Sequence, residues 1–382
     1  MPNRPQPAPC PQYIPVGSPW RGSVDYLNPI KPALIFPDRE LMTPTVAPSP
    51  LWIRVLRGFG RTLLWFVLGL LTVWAVAALY VDVRTPALRA PLAVLYAIAA
   101  LLAVIRFSWR FAAVLWAAGF GVVLMWWQTL QPSNDGPWNP NLDRTASIDV
   151  NGDDVVIHNL RNCDYRAETE YSNCWSDRTV HLSKLRGGDF FFTTWGPKYI
   201  AHPIVSFDFG DDGHVAFSIE VRYRPGQEYS ALLGFFRQFA LIFVVADERD
   251  VIRLRTNYRE GENVFLYRTT VAADVARKMF LTYVQYLNNL RDHPEWYNAL
   301  TRNCTTTMDQ KVAADMPNPK GFSLQLVLNG TMDELLYERG RLVTGGLDFP
   351  ALKQQAHINP SAKEADHSPD FSARIRLGRV GF

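Results

Sequence analysis

The sequence predicts an α+β protein, an antiparallel sheet packed on helices and hung from a three-helix transmembrane anchor. Three observations predict it. Apolar runs near residues 60–82, 88–105 and 111–130 are each long enough, or nearly so, to cross a hydrocarbon core of about 30 Å at about 1.5 Å per residue. Residues 202–222 alternate in polarity with a period of two about a Gly-Asp-Asp-Gly turn. Residues 276–290 repeat their apolar positions at helical spacing.

Residues 1–50 are rich in Pro and carry no apolar core, which predicts a disordered cytoplasmic tail rather than a cleaved leader. Cys10 follows no apolar run and so is no lipidation site. Residues 51–130 hold the three spans. Arg54, Arg57 and Arg61 precede the first, and Arg106 and Arg110 lie between the second and third. The excess of arginine on that side puts the N-terminus in the cytoplasm, with Arg84 and Arg89 pulling weakly the other way. Trp126 and Trp127 read as interfacial anchors, and an odd number of spans places everything after residue 131 on the outer face. If the second segment does not span, the placement reverses. A formal net charge of +3 is too small to argue for nucleic acid.

Residues 131–145 form a turn-rich linker, 146–344 the outer domain and 345–382 a tail expected to dock or to lie near the membrane. In an oxidising compartment Cys163 and Cys174, close in sequence, are candidates for a disulfide, which leaves Cys304 odd. The segment from Arg161 to Glu170 reads either as a charged loop lining a polar entrance or as a solvated loop. Phe190, Phe191 and Phe192 predict a buried strand. On the next strand Ile204, Ser206 and Asp208 share a face with His202, and Pro203 suits a strand start or an edge. After the turn, Ala216, Ser218, Glu220 and Arg222 share the corresponding face. A register that sets 202 opposite 220 brings an imidazole within reach of a carboxylate. Residues 231–246, interrupted by Arg237 and Gln238, read as a helix running into the strand at 242–245 rather than a fourth span. Asp247, Glu248, Arg249 and Asp250 read as turn chemistry before Val251 to Leu254. Val264 to Tyr267 adds a strand before the amphipathic helix. His181 and His293 stand isolated, and no repeat, phosphate-binding loop, paired metal-ligand motif or cofactor signature is present.

The chemistry centres on Arg302-Asn303-Cys304-Thr305-Thr306. A cysteine at a helix start has its thiol acidified by the helix dipole and by a neighbouring imidazolium. Thr301 is placed to cap that helix, Met308 and Val312 continue one face, and the first-turn N–H groups suit an oxyanion. Acyl transfer through a thioester follows, with Cys304 as nucleophile, His202 as base and Glu220 fixing the imidazole tautomer. Asn303, Ser218, Arg222 and His214 are supporting candidates. His214 competes with His202 for the base, a Cys–His pair without Glu220 also suffices, and Cys304 as a small buried hydrophobe is the opposing reading.

At these residues the chain resembles the Lnb-type periplasmic domain of the permuted papain-like cysteine superfamily. There a His opens a strand, an acidic or polar residue follows on the next, and an Asn-Cys pair comes later. The resemblance runs from about 155 to 376, through Asn162 to Glu170, Ser218 to Arg222, Phe235 to Gln238, Asp247 to Ile252 and Asn303 to Thr306. It implies an envelope acyltransferase moving a fatty acyl chain from a membrane phospholipid to the α-amino group of a lipoprotein's N-terminal diacylglyceryl-cysteine. Cys163, Cys174 and the three-span anchor depart from the family pattern. Two other classes stay open: a cysteine amidase or peptidase acting on cell-wall peptides, and a catalytically silent envelope scaffold.

Overall fold

The computed structural model describes residues 50–172, 174–196, 200–299, 301–302 and 329–382. Three apolar helices come first: α1 (Leu51–Asp82), α2 (Pro86–Arg106) and α3 (Trp109–Gln128), each long and apolar enough to cross a membrane. Their leucines, valines and phenylalanines are largely exposed, the distribution that suits a membrane span. By compactness the chain divides at Arg61, within α1, and Thr62–Phe382 forms one unit. Within that unit Trp116 Nε1 donates to Thr72 Oγ1 at 2.7 Å, a polar tie between α3 and α1. Arg89, which weighs against the topology by charge counting, donates from Nε to Val83 O just past the end of α1.

The outer domain is an eight-stranded mixed sheet with helices on both faces. Its strands are β1 (Ser147–Asn151), β2 (Asp154–Arg161), β5 (Trp175–His181), β6 (Gly187–Thr194), β7 (Ala201–Asp208), β8 (His214–Arg222), β9 (Ala240–Ala246) and β10 (Asn263–Arg268). The order is β1-β2-β9-β8-β7-β6-β10, with β5 also on β2. Every pairing is antiparallel except the single junction Arg161↔Ala246 between β2 and β9. A separate ribbon, β3 (Asp164–Ala167) and β4 (Glu170–Ser172), replaces the expected loop over 161–170. The Cys163–Cys174 disulfide staples its base.

The period-two pattern decides the two faces. Val205, Phe207, Val215, Phe217 and Ile219 join a core against α5 (Ala273–Asp292), where Phe280 and Tyr283 meet Phe207 and Phe217 edge to face. Ile204, Ala216, Ile242 and Val244 pack the opposite way. There they meet α4 (Glu248–Arg253), the π-helical turn Leu254–Tyr258 and residues near the C-terminus. Helices α6 (Met332–Glu338), α7 (Phe349–Ala356), α8 (Asn359–Glu364) and α9 (Phe371–Arg374) complete the described chain.

Four expectations give way here. Of the helix expected to run from 231 into a strand at 242–245, the strand is present as β9, but the helix is a single 3-10 turn at Leu233–Phe235, because Arg237 and Gln238 are drawn to Asp82 at the end of α1. The acidic run at 247–250 is no simple turn. Asp247 caps α4 by accepting from Arg249 N, while Glu248 and Asp250 are wholly buried in ion pairs. The C-terminal residues are no docking tail: Phe371 and Ile375 fill the second core, and buried Arg376 binds Asp189 and Glu248. His181 is not isolated, since its Nδ1 lies 2.6 Å from Asp212 Oδ2.

Candidate active site

Strands β7 and β8 pair as Val205↔Phe217, Ser206↔Ala216, Phe207↔Val215 and Asp208↔His214. Carried along both strands, this register sets His202 opposite Glu220, as the turn chemistry predicts. The ladder with β8 stops at Val205, whereas β7 continues pairing with β6 through Phe192↔Pro203 and Thr193↔His202. Pro203 thus sits inside the sheet, in the stretch where β7 is locally an edge toward β8 and a missing N–H costs no ladder bond. The two strands separate where the polar side chains meet.

His202 is buried, and its Nε2 lies 2.8 Å from Ser218 Oγ and 3.2 Å from Glu220 Oε1. Ser218 Oγ in turn donates to Glu220 Oε1 at 2.6 Å. A hydroxyl has one proton. With that proton donated to the carboxylate, Ser218 accepts from His202 Nε2–H, so the neutral imidazole carries its proton on Nε2. Burial pushes the Glu220 carboxyl up, but His202 and Arg255 outweigh it and hold the group well below the usual carboxylate range. Glu220 is therefore an anion that can orient an imidazole and stabilise its charged form.

Arg255 is the residue that strand and turn reasoning misses. Its Nη2 donates to Glu220 Oε1 at 2.8 Å and its Nη1 to Glu262 Oε2 at 3.1 Å. It reaches inward because Leu254–Tyr258 is a π-helical turn, in which the extra residue per turn re-aims the side chains. The only signal in the sequence is a cation eight residues after the capping Asp247.

The remaining candidates separate. Ser218 belongs to the network. Arg222 does not: its guanidinium donates to Leu142 O at 2.7 Å and Asp143 O at 2.8 Å and lies 4.7 Å over the Trp138 ring, which clamps the linker onto the sheet. His214 lies at the other end of the same face, 3.9 Å from Asp189 and 3.8 Å from Asp208. Asn303 and Cys304, with the helix start expected there, lie outside the described residues. Leading to them, Thr301 Oγ1 donates to Asn298 Oδ1 at 3.0 Å and Arg302 pairs with Glu295 at 2.7 Å.

Asp189, His214 and Glu248 bring three potential ligand atoms within 4.8 Å of one another. Arg376 binds both carboxylates and Arg268 binds Asp189 at 3.0 Å, so the charge a cation would neutralise is already met by guanidinium. A cavity of about 400 Å³ opens at the end of β6 that carries Thr193 and Thr194, the partners of His202 and Ala201. Trp195 and Phe349 line it together with Asp333, Glu334 and Lys353, a mixed and charged wall.

With this geometry in view, comparison with known families is informative. Residues 171–324 match the family model of the Lnb N-terminal periplasmic domain. The match takes in His202, Ser218, Glu220 and Arg255 as well as Cys304, and it bears out the expected resemblance. The family description places such a domain in the periplasm, and three candidate membrane helices precede it here, which makes this a membrane-anchored, envelope-related protein. No curated protein and no solved structure matches the chain.

Proposed function

We propose that the protein is a thiol-dependent acyltransferase of the inner membrane that moves an acyl chain from phospholipid to a lipoprotein N-terminus. The observation that carries the reading is the His202–Ser218–Glu220–Arg255 chain, which fixes the tautomer a cysteine's partner base requires. In the proposed reaction Nδ1 takes the Cys304 proton, and the thiolate attacks the ester carbonyl of a phospholipid. Collapse of the tetrahedral adduct expels the lysophospholipid oxygen, which recovers the proton from His202, and leaves a thioester. The acceptor's α-amino group then attacks the thioester, passes a proton to His202 Nδ1, and collapse of the adduct forms the amide and releases the Cys304 thiolate. Glu220, held anionic by Arg255, stabilises the imidazolium formed in each half-reaction.

A second reading, an amidase or peptidase trimming cell-wall peptides, uses the same residues with water as acceptor. The charged lining of the cavity beside β6 favours it, because Asp333, Glu334 and Lys353 suit a peptide better than a hydrocarbon chain. The test is to give the detergent-purified protein a phospholipid and a diacylglyceryl lipopeptide and follow products by mass spectrometry. Equal amounts of triacylated peptide and lysophospholipid are expected. Free fatty acid, or a cleaved peptide with intact lipid, contradicts acyl transfer.

A further inference from the structure

The turn from Ser230 to Phe236 sits at the junction of the anchor and the outer domain. Phe236 is buried with its ring stacked 6.5 Å from Trp74, eight residues before the end of α1. At about 1.5 Å per residue that is about 12 Å below Asp82 along the helix. The next two residues are bound to the top of α1: Arg237 N donates to Asp82 Oδ2 at 3.3 Å and Gln238 Nε2 to Asp82 Oδ1 at 2.6 Å. Trp127 Nε1 of α3 donates to the same carboxylate at 2.7 Å, and the Arg237 guanidinium lies 4.1 Å over the Trp127 ring. The domain is thus seated in the groove between α1 and α3, with one aromatic side chain drawn down alongside the helices.

At the apex of this turn Leu232 points outward. Leu232 is 70% exposed, among the most exposed large apolar groups of the outer domain, and Tyr229, just before the turn, is half-exposed with its ring against Phe239 and Tyr297 and its hydroxyl 3.3 Å from that of Tyr297. Closed bonds from Gly234 N to Ser230 O, Phe235 N to Leu232 O and Phe236 N to Leu233 O hold the apex in shape. The inner side of the turn meets the segment that runs to Cys304. Ala299 N donates to Gly234 O at 3.0 Å, and a Cβ built on Gly234 would lie 3.2 Å from Ala299 Cβ, so a larger residue would crowd this approach. Tyr297 N donates to Phe239 O, and Leu241 N to Glu295 O.

We infer that Tyr229–Phe236 is a membrane-inserting wedge whose Leu232 enters the outer leaflet beside α1, with Tyr229 at its polar edge. Its partner is the hydrocarbon and headgroup boundary of the bilayer, where an aliphatic side chain is solvated by lipid and a tyrosine keeps its hydroxyl at the polar level. The apolar surface of the turn is continuous with the lipid-facing surface of the anchor through the Phe236–Trp74 stack. Seated there, the wedge fixes the height of residues 295–299 above the lipid. The inference rests on α1–α3 spanning a bilayer and not on the chemistry assigned to Cys304.

Single nitroxide labels in the full-length protein, reconstituted in phospholipid nanodiscs, test it. Cys10→Ser and Cys304→Ser leave the bridged Cys163 and Cys174, and labels are introduced at Leu232→Cys, Tyr229→Cys, Val73→Cys and Asp211→Cys. Val73 lies on the exposed surface of α1, and Asp211 in the turn before β8, at the opposite end of that strand from the anchor. Collision with oxygen against a water-soluble nickel chelate gives the environment of each label. The expected ratios at Leu232 and Tyr229 stand closer to Val73 than to Asp211. Ratios closer to Asp211, with Val73 in lipid, overturn the wedge alone; a water-exposed Val73 overturns the spanning anchor and the wedge with it.

Discussion

Two constellations of the same composition lie on one face of β7 and β8. At one end His202, Ser218, Glu220 and Arg255 form a chain in which Ser218 Oγ donates to Glu220 Oε1 at 2.6 Å. At the other, His214 clusters with Glu248 and Asp189, Arg376 binds both carboxylates, and Ser206 Oγ donates to Glu248 Oε1 at the same 2.6 Å. The difference lies in what covers them. Glu248 and Asp189 are sealed by α4 and the C-terminal residues, and Arg376 binds both, while Glu220 keeps a side chain 20% exposed where β7 and β8 part. In the sealed cluster burial pushes Asp189 up, whereas Glu248 is held at about 2 because Arg376 outweighs its burial. A histidine, a serine, a glutamate and an arginine therefore do not make a site by themselves. Access for a second reactant distinguishes the candidate reactive cluster from the sealed one.

The comparison breaks if the two ends respond alike. His202→Ala should lower acyl transfer by about 10²–10⁴-fold, the usual weight of a general base, with unfolding unchanged by thermal melts. Arg376→Met should act on folding instead, costing about 3–5 kcal/mol by leaving buried carboxylates without their cation, read as a lowered denaturant midpoint. Glu220→Gln should be milder than His202→Ala, about 10–100-fold in rate, because orientation is lost and the proton acceptor stays. Equal or reversed effects of these two would contradict the assigned roles.

Acid unfolding sharpens the contrast further. Glu248 has a folded pKa near 2, below its ordinary value, so its contribution is complete above the ordinary carboxylate range and disappears as pH falls toward about 2. Glu248→Gln should flatten that limb of the stability curve, measured by denaturant titration at several pH values. His214→Gln should have the smallest effect on catalysis, less than about tenfold in transfer rate.

Much of this was legible before any coordinates. Alternation from His202 to Arg222 about the Gly210–Gly213 turn determines both faces and the register, because a slip of one residue would bury the wrong set. The helical stripe from Ala276 to Leu290 is α5. What was hidden is of one kind: charged residues that fold inward. Arg376, Glu248, Asp250 and Arg161 look like surface residues in sequence, since nothing local reveals that Arg161 Nη2 will meet Asp250 at 2.7 Å across 89 positions. Arg255 was concealed by a π-helical turn that breaks the ordinary helical period. Arg222 was misread because it shares a strand face with Glu220, yet Leu142 and Asp143 carbonyls claim it first.

The central claim is that Cys304 carries an acyl group through a base formed by His202. It is tested most directly by supplying radiolabelled phospholipid to the detergent-purified protein and measuring label bound to the chain before and after hydroxylamine. Wild type is expected to hold a hydroxylamine-labile adduct that is absent from Cys304→Ser and slow to form in His202→Ala. Equal labile label in wild type and Cys304→Ser would contradict the account.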